Sequence, residues 1–143
     1  MLSHTCKTAI KAVIFLCSKY ESKENAGIKE IASAIQASEH TVGKFLQTLV
    51  KNGVINSLKG PSGGFYISKE QRKLPIITII DAIDGTSVFR ECGLGLPQCS
   101  ASRPCPIHFE YKESRDKAEK IFRTKKVLDL CDPVTLGTAY ISI

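Results

Sequence analysis

Apolar residues recur at helical spacing in three stretches of the first half of the chain. The first stretch predicts a helix over about 5–20, and the second, IKEIASAI, predicts a short amphipathic helix over 28–35. The third runs from Thr41 to Lys51; Ser38 before it suits an N-cap, and Asn52-Gly53 ends it as helices commonly end. Two short helices joined by a tight connection, the second of them N-capped, are typical of a helix-turn-helix.

The next segment predicts a β-hairpin. VINSLK is a β-like run, GPSGG supplies the turn, and FYIS returns. Glycine and proline let the backbone bend sharply and approach a partner closely, and Lys59 places a positive charge beside the tip. Three helices followed by a hairpin with a basic tip predict a winged helix-turn-helix. The alternative is an ordinary β-turn without a function.

The second half of the chain begins after the polar boundary KEQRK. Its pattern predicts a short helix over 74–84, an irregular loop over about 88–105 and a long helix from about 106 to about 125. No clear pattern follows Cys131. The long helix is mostly charged, and its apolar positions form a narrow seam: Ile107, Tyr111, Ala118, Ile121 and Phe122. A narrow seam is typical of a coiled-coil-like contact with the same helix of a second subunit, and packing on its own domain is the alternative.

The predicted fold class is therefore mainly α with a small β-wing. Residues 1–73 are expected to form a winged helix-turn-helix DNA-binding domain. Residues 74–143 are expected to hold a linker helix, a cysteine loop and a long C-terminal dimerisation helix.

Positive charge is concentrated in the first of these two parts. Through residue 73, eleven Lys and Arg face five Glu, so the whole net charge of +6 lies there. This asymmetry favours a polyanion partner. The third helix would enter the DNA major groove with its N-terminal residues leading, and the wing would reach the adjacent backbone or minor groove. The candidate DNA-binding residues are Ser38, His40, Thr41 and Lys44 on the helix, and Lys59, Gly60, Pro61, Ser62, Gly63 and Gly64 on the wing.

Composition bears on where the protein works and therefore on what its six cysteines do. No apolar run is long enough to span a membrane, and Lys7 and Lys11 interrupt the apolar start in a way that does not suit a secretory signal. We therefore expect a cytoplasmic protein, in which clustered cysteines bind metals or sense redox state more often than they form disulfides. Cys6 and Cys17 lie on one helical stripe and are expected in the core.

Three of the remaining cysteines cluster with a histidine: Cys92, Cys99, Cys105 and His108. Six, five and two residues separate them, and prolines and glycines keep the stretch out of regular structure. Thiolates grouped in this way suit an iron–sulfur cluster, and three cysteines with one histidine also suit a closed tetrahedral zinc site. A metal-free thiol switch is the third interpretation.

In the order of these parts, the chain resembles the IscR/NsrR-type family of bacterial winged-helix regulators, the Rrf-type iron–sulfur regulators. The resemblance rests on IKEIASAI, KNGVINSLKGPSGGFY, ITIIDAIDG and the cysteine loop, and it covers nearly the whole chain. The wing of the family usually reads arginine-glycine-proline-glycine-glycine-glycine-tyrosine, where this chain has KGPSGGF. The resemblance implies a homodimer that crosses its long helices and binds a palindromic double-stranded DNA operator. It also implies an iron–sulfur cluster on Cys92, Cys99 and Cys105.

The resemblance also bears on the fourth cluster ligand. IscR-like members complete a 2Fe–2S site with a histidine three positions after the last cysteine, which matches His108. NsrR-like members cap a 4Fe–4S cluster with an aspartate from the first helix of the partner subunit, where this chain has Thr8. The departure favours the 2Fe–2S arrangement, with 4Fe–4S as the other candidate and His4 or Cys6 as substitute ligands.

We therefore predict a transcriptional regulator, such as a repressor, whose DNA binding depends on cluster, redox or nitrosative status. The chain has no nucleophile–base pair, CxxC motif or phosphate loop, and we expect that it is not an enzyme. A winged helix that contacts proteins, with a purely structural cysteine site, is the alternative from another class.

Overall fold

The computed structural model describes residues 1–141, and residues 142–143 of the predicted second part lie outside that description. Within these residues the chain forms helices and one small sheet, in agreement with the predicted fold class. The elements are α1 (His4–Ser18), α2 (Ile28–Ile35), α3 (Glu39–Lys51), β1 (Asn56–Leu58), β2 (Gly64–Tyr66), α4 (Ile76–Ile83), α5 (His108–Thr124) and α6 (Val127–Thr135). Short 3-10 turns lie at Gln71–Lys73 and Ser87–Phe89.

The helix-turn-helix forms as the pattern predicts. α2 ends at Ile35, the following Gln36 turns the chain with a left-handed φ of 56°, and Ala37 N–H donates to the Ala32 carbonyl at 2.9 Å. Ser38 then caps α3 by accepting a hydrogen bond from Thr41 N–H at 3.2 Å. α3 starts at Glu39, two residues before the predicted start, because the cap residue and not the first apolar residue sets the boundary.

One hydrophobic core joins α1 to the elements around it, and α1 is buried along most of its length. Cys6 and Cys17 lie in this core, which confirms their predicted placement. Four other helices contribute buried side chains to it, including Ile31, Leu46, Ile79 and Val127 from α2, α3, α4 and α6 respectively. The core therefore connects the helix-turn-helix with the elements that flank the cysteine loop.

The wing is a two-stranded antiparallel sheet with Asn56 opposite Tyr66 and Leu58 opposite Gly64. A tight turn closes it, in which Gly63 N–H donates to the Gly60 carbonyl at 2.9 Å. Gly63 is required there because an added Cβ would lie 2.0 Å from the Leu58 carbonyl oxygen. Backbone hydrogen bonds between Ala26 and Phe65 tie the wing to the segment before α2. The wing therefore holds a fixed position beside the helix-turn-helix.

The segment after the wing returns to the core. α4 is shorter than the predicted 74–84, because residues 74–75 are extended and pair with residues 125–127. The pairing consists of Ile76 N–H donating to the Lys125 carbonyl and Val127 N–H donating to the Leu74 carbonyl, both at 2.9 Å. These bonds close the base of the segment that carries the cysteine loop and α5.

α6 is a helix that the hydrophobic pattern does not predict. It begins at Val127, contains Pro133 and packs along α1 with Val127 and Cys131 buried. The expectation of no pattern after Cys131 is therefore wrong for the residues up to Thr135. Among residues 1–141, no helix has both the length and the apolar composition needed to cross a bilayer.

Candidate metal centre and nucleic-acid interface

The three predicted cysteines of the loop converge on one point. The sulfurs of Cys92, Cys99 and Cys105 all lie within 4.8 Å of one another, and those of Cys92 and Cys105 are 3.6 Å apart. Two turns bring them together: Gly95 N–H donates to the Cys92 carbonyl, and Ser100 pairs with Arg103 through backbone hydrogen bonds. These turns therefore bring cysteines that are spaced along the sequence into one compact group of thiols.

His108 is the first residue of α5 and lies beside one of these thiols. Its Nδ1 is 3.2 Å from Cys99 Sγ, while its backbone N–H donates to the Cys105 carbonyl at 3.1 Å. The His108 ring is not within the 4.8 Å limit of all three sulfurs, although it is close to that of Cys99. The role of His108 as a fourth ligand therefore stays a prediction, although the ring is at the right place to share a metal with Cys99.

The loop environment favours ionisation of the Cys92 thiol and opposes that of Cys105. Backbone N–H groups of Leu96 and Leu94 lower the pKa of Cys92 to about 7, whereas burial raises the pKa of Cys105. Metal–sulfur distances of about 2.3 Å place two thiolates on one tetrahedral metal about 3.7 Å apart, which the Cys92–Cys105 distance already matches. The donor set therefore fits a thiolate-bound metal or cluster without large rearrangement of this pair.

Burial on α1 leaves one residue there that could serve as a substitute cluster ligand in place of His108. Cys6 has no exposed surface, and burial together with the neighbouring Asp84 raises its pKa to about 12. Thr8 is buried as well, and its hydroxyl donates to the His4 carbonyl at 2.8 Å. Of the three α1 residues considered, only His4 has a side chain that is exposed and able to meet a partner subunit.

A charged cluster fastens the base of the loop to α5. Glu119 accepts hydrogen bonds at both carboxylate oxygens from Arg90, at 2.8 and 3.1 Å, and at one oxygen from Arg123, at 3.0 and 2.9 Å. Its side chain is 11% exposed, compared with 64% for that of Arg90. The Arg90 guanidinium holds the pKa of Glu119 below its usual value. Because Arg90 is two residues before Cys92, this cluster sets where the loop leaves the core.

Two further contacts from α5 hold the loop. The buried Arg115 guanidinium donates to the Glu91 carbonyl. The Tyr111 ring lies so close to Gly93 that an added Cβ would be 2.8 Å from it. The sequence gives no direct signal for these contacts, since charged residues on a surface helix are usually solvated.

Most of the DNA-binding candidates on α3 and the wing are exposed, and three are half-buried. Of the candidates at α3, Ser38, His40 and Lys44 are exposed. Thr41 is half-buried, and its hydroxyl accepts a hydrogen bond from the Ser38 hydroxyl. Gln47 and Lys51 are also exposed and continue the face of His40 and Lys44 at helical spacing. Neither residue is among the candidates predicted from the sequence, although their helical spacing is visible there.

On the wing, the exposed residues form the tip. Lys59, Gly60, Pro61 and Ser62 are exposed, whereas Gly63 and Gly64 are half-buried. An added Cβ on Gly64 would lie 2.8 Å from the Ala26 carbonyl oxygen, so this glycine shapes the wing. Whether any of these residues touches DNA stays a prediction.

The apolar residues of α5 face in different directions. Ala118 and Phe122 pack towards the core of their own chain, and the Phe122 ring centre is 6.0 Å from that of Phe89. Ile121 is exposed, while Ile107 and Tyr111 are half-buried. The exposed Phe109 adds apolar surface that lies outside the predicted seam. Contact of this seam with a second subunit stays a prediction.

Comparison with known proteins identifies the family. The model of the Rrf2 family, described as iron-dependent transcriptional regulator, matches residues 2–133. The chain belongs to the Rrf2 family. It is 24% identical over 132 residues to the HTH-type transcriptional regulator NsrR of Geobacillus kaustophilus, covering 92% of this chain and 89% of NsrR.

Solved structures support the Rrf2 fold. CymR, the global cysteine regulator of B. subtilis, superposes with a TM-score of 0.74 at 19% identity, covering 92% of this chain and 95% of CymR. IscR of T. potens superposes with a TM-score of 0.73 at 16% identity, covering 98% of this chain and 92% of IscR. The family match confirms the predicted transcriptional regulator that binds DNA and is not an enzyme. The solved structures confirm the predicted winged-helix fold.

Proposed function

We propose that the chain is a homodimeric Rrf2 regulator of the cytoplasm that binds a palindromic operator under the control of an iron–sulfur cluster. The observation that carries this proposal is the convergence of the Cys92, Cys99 and Cys105 sulfurs within 4.8 Å at the N-terminal end of α5. The resemblance to IscR-type and NsrR-type regulators and the match to an iron-dependent family support it.

Two close pairs of ligand atoms favour a 2Fe–2S cluster over a 4Fe–4S cluster. Cys92 and Cys105 form one pair at 3.6 Å, and Cys99 and His108 form the other at 3.2 Å. A 2Fe–2S cluster needs two protein ligands on each of its two irons, which these pairs would supply. When bound, the cluster would supply a redox-sensitive centre, and a histidine ligand would add sensitivity to protons.

The contacts around the loop give this centre a route to the DNA-binding surface. Arg90 and the Glu91 carbonyl join the loop to Glu119 and Arg115 of α5. The end of α5 is bonded to the start of α4, and both α4 and α6 pack on α1 of the DNA-binding half. Displacement of the loop would therefore displace α5, and in a dimer it would change the separation of the two α3 helices.

A metal-free thiol switch is the second candidate. It is favoured by the lowered pKa of Cys92, which makes this thiol reactive near neutral pH, and by the likeness to CymR, a cysteine regulator. Structural zinc is the third, because the Cys92–Cys105 distance also suits one tetrahedral ion.

Anaerobic purification followed by iron, sulfide and zinc analysis tests the proposal. We expect two irons and two sulfides per chain with a visible absorption spectrum. Cys99→Ser should lose this iron, whereas Cys17→Ala, in the core, should keep it. His108→Ala should shorten the lifetime of the cluster in air. A colourless protein with one zinc per chain would overturn the sensor proposal.

Sedimentation and DNA binding test the remaining parts. We expect a species of twice 15.7 kDa that binds a palindromic duplex, with an affinity that changes when the cluster is removed. A monomer at micromolar concentration, or an affinity that does not depend on the cluster, would contradict the corresponding part of the proposal.

A further inference from the structure

A cavity lies between the C-terminal end of α1 and the wing. Its volume is about 450 Å³, which is within the range of small-molecule sites in proteins. All of its lining residues lie between Leu16 and Ser68, so the cavity is separate from the cysteine loop and from α5. The most deeply buried of them are Leu16 and Ile67, which are 2% and 4% exposed and form an apolar floor.

The walls of the cavity carry exposed apolar and aromatic surface. Leu58 and Tyr66, one from each strand of the wing, are 53% and 36% exposed. Tyr20 lines the cavity from the side of α1, and the Arg72 guanidinium stacks over its ring at 4.0 Å. Apolar surface beside a concave cavity is typical of a binding site, because a ligand can remove it from water.

The charges around the cavity favour an anion. The Lys19 amine pairs with Glu30 at 2.5 Å and with Glu24 at 3.6 Å, whereas the exposed Lys23 makes no ion pair within the described part of the chain. Two lysines and one glutamate line the cavity, which leaves one positive charge in excess. Lys23 also has a left-handed φ of 58°, a conformation that is uncommon for lysine and is often found where a residue serves a ligand.

We propose that this cavity binds an aromatic monocarboxylate. The ring would lie against Leu58 and Tyr66 above the apolar floor, where tyrosine rings favour an aromatic partner. The carboxylate would lie beside Lys23, which supplies the excess charge. The proposal uses neither the cysteine loop nor a second subunit, and it therefore stands or falls separately from the proposed cluster function.

The position of the cavity connects such a ligand with DNA binding. The side-chain amide of Asn25, which lines the cavity, donates to the Ser62 carbonyl at the wing tip at 3.0 Å. A bound ligand would add contacts to α1 and to both strands, and it would thereby restrict where the wing lies relative to the helix-turn-helix. If it changes the affinity for DNA, DNA changes the affinity for the ligand by the same factor.

Isothermal titration calorimetry of the full chain with 2-naphthoate and 2-naphthamide tests the proposal, because the two probes share a ring system and differ in charge. We expect saturable binding of naphthoate, about threefold tighter than that of naphthamide, as an exposed ion pair supports. Lys23→Asn should remove this preference, and asparagine also adopts a left-handed φ. Lys29→Asn, which removes an exposed lysine of α2, should keep it. No saturable binding of naphthoate below about 1 mM, or an unchanged preference in Lys23→Asn, would overturn the proposal.

A second pair of variants tests the apolar wall. Leu58→Ser should weaken naphthoate binding about fivefold, because part of the apolar contact with the ring is lost. Leu136→Ser is the matched control, since this leucine is 78% exposed and lies beyond α6. Both leucines are more than half exposed, so thermal melts of the free variants should show an almost unchanged Tm. Equal naphthoate affinities of Leu58→Ser and Leu136→Ser would overturn the placement of the ligand in this cavity.

Discussion

Replacing Glu119 by glutamine keeps the size of the side chain and removes the charge that fastens the cysteine loop to α5. The carboxylate accepts four hydrogen bonds, from Arg90 at 2.8 and 3.1 Å and from Arg123 at 3.0 and 2.9 Å. Three of these bonds end on one carboxylate oxygen, and the fourth, from Arg90, ends on the other. A glutamine amide has one acceptor oxygen, so in the variant that Arg90 bond cannot form and an amide NH2 group faces the guanidinium instead. The Glu119 side chain is 11% exposed, and its hydrogen bonds are therefore partly shielded from water.

The expected loss of stability follows from these hydrogen bonds. A hydrogen bond to a charged group contributes about 1.5–3 kcal/mol when shielded, but the exposed guanidiniums regain water in the variant. We therefore expect Glu119→Gln to lower the free energy of unfolding by about 1–2 kcal/mol, which lowers Tm by about 3–7 °C in a chain of this size. Glu113→Gln is the matched control, since Glu113 makes an exposed ion pair with Lys117 on the same helix, worth about 0.3 kcal/mol.

The pH dependence gives a second measurement. Arg90 holds the pKa of Glu119 below its ordinary value of 4.5, so the ionised carboxylate stabilises the folded state above that value. The stability difference between the wild type and Glu119→Gln should be full at neutral pH and should shrink as pH falls through the lowered pKa. Thermal melts at one fixed protein concentration measure it. Equal Tm values for Glu119→Gln and Glu113→Gln at neutral pH would refute this account of the loop attachment.

Three other substitutions test the DNA-binding half. Lys59→Ala should weaken binding to operator and unrelated duplexes alike and reduce the salt slope of log K by about 1, whereas an unchanged slope would argue against a phosphate contact. Gly63→Ala should lower Tm and DNA affinity because its Cβ would lie 2.0 Å from the Leu58 carbonyl oxygen. Gly27→Ala is the control, since open space surrounds that position. Equal Tm values and DNA affinities for the two variants would contradict the wing geometry. Gly43→Ala should raise the free energy of unfolding in urea by about 0.5–1 kcal/mol, because alanine favours a helix more than glycine does. The added Cβ would meet the Ile28 side chain at an ordinary 3.6 Å. A loss of stability would show that α2 and α3 pack more tightly than this distance indicates.

The helix-turn-helix was predictable because local signals agree there. The apolar periodicity of α2 gives its bounds to the residue, and Ser38 marks the start of α3. α6 was not predictable in the same way, because it is short, contains Pro133 and packs its apolar side against distant parts of the chain, α1 and the turn at Gln71–Lys73. A helix whose pattern depends on its packing partner carries a weak signal in the sequence alone.

Some features of the candidate metal site were also predictable from the sequence, and others were not. The convergence of three thiols was predictable, since the cysteines are close in the sequence and lie in a loop rich in proline and glycine. The contact of Glu119 with Arg90 was not, because it joins residues far apart in the chain. This pairing depends on how α5 returns to the core.

The backbone bonds between residues 74–76 and 125–127 make α5 a lever with a fixed end. Its 17 residues extend about 25 Å from the fixed end to His108, so a movement of about 2 Å at the cysteines tilts the helix by about 5°. A lever transmits in both directions, and coupling free energies are reciprocal. Under the proposed function, operator DNA that selects one tilt of α5 would therefore change how tightly the cysteines hold their cluster, and the cluster would have different stability in the DNA-bound and the free regulator.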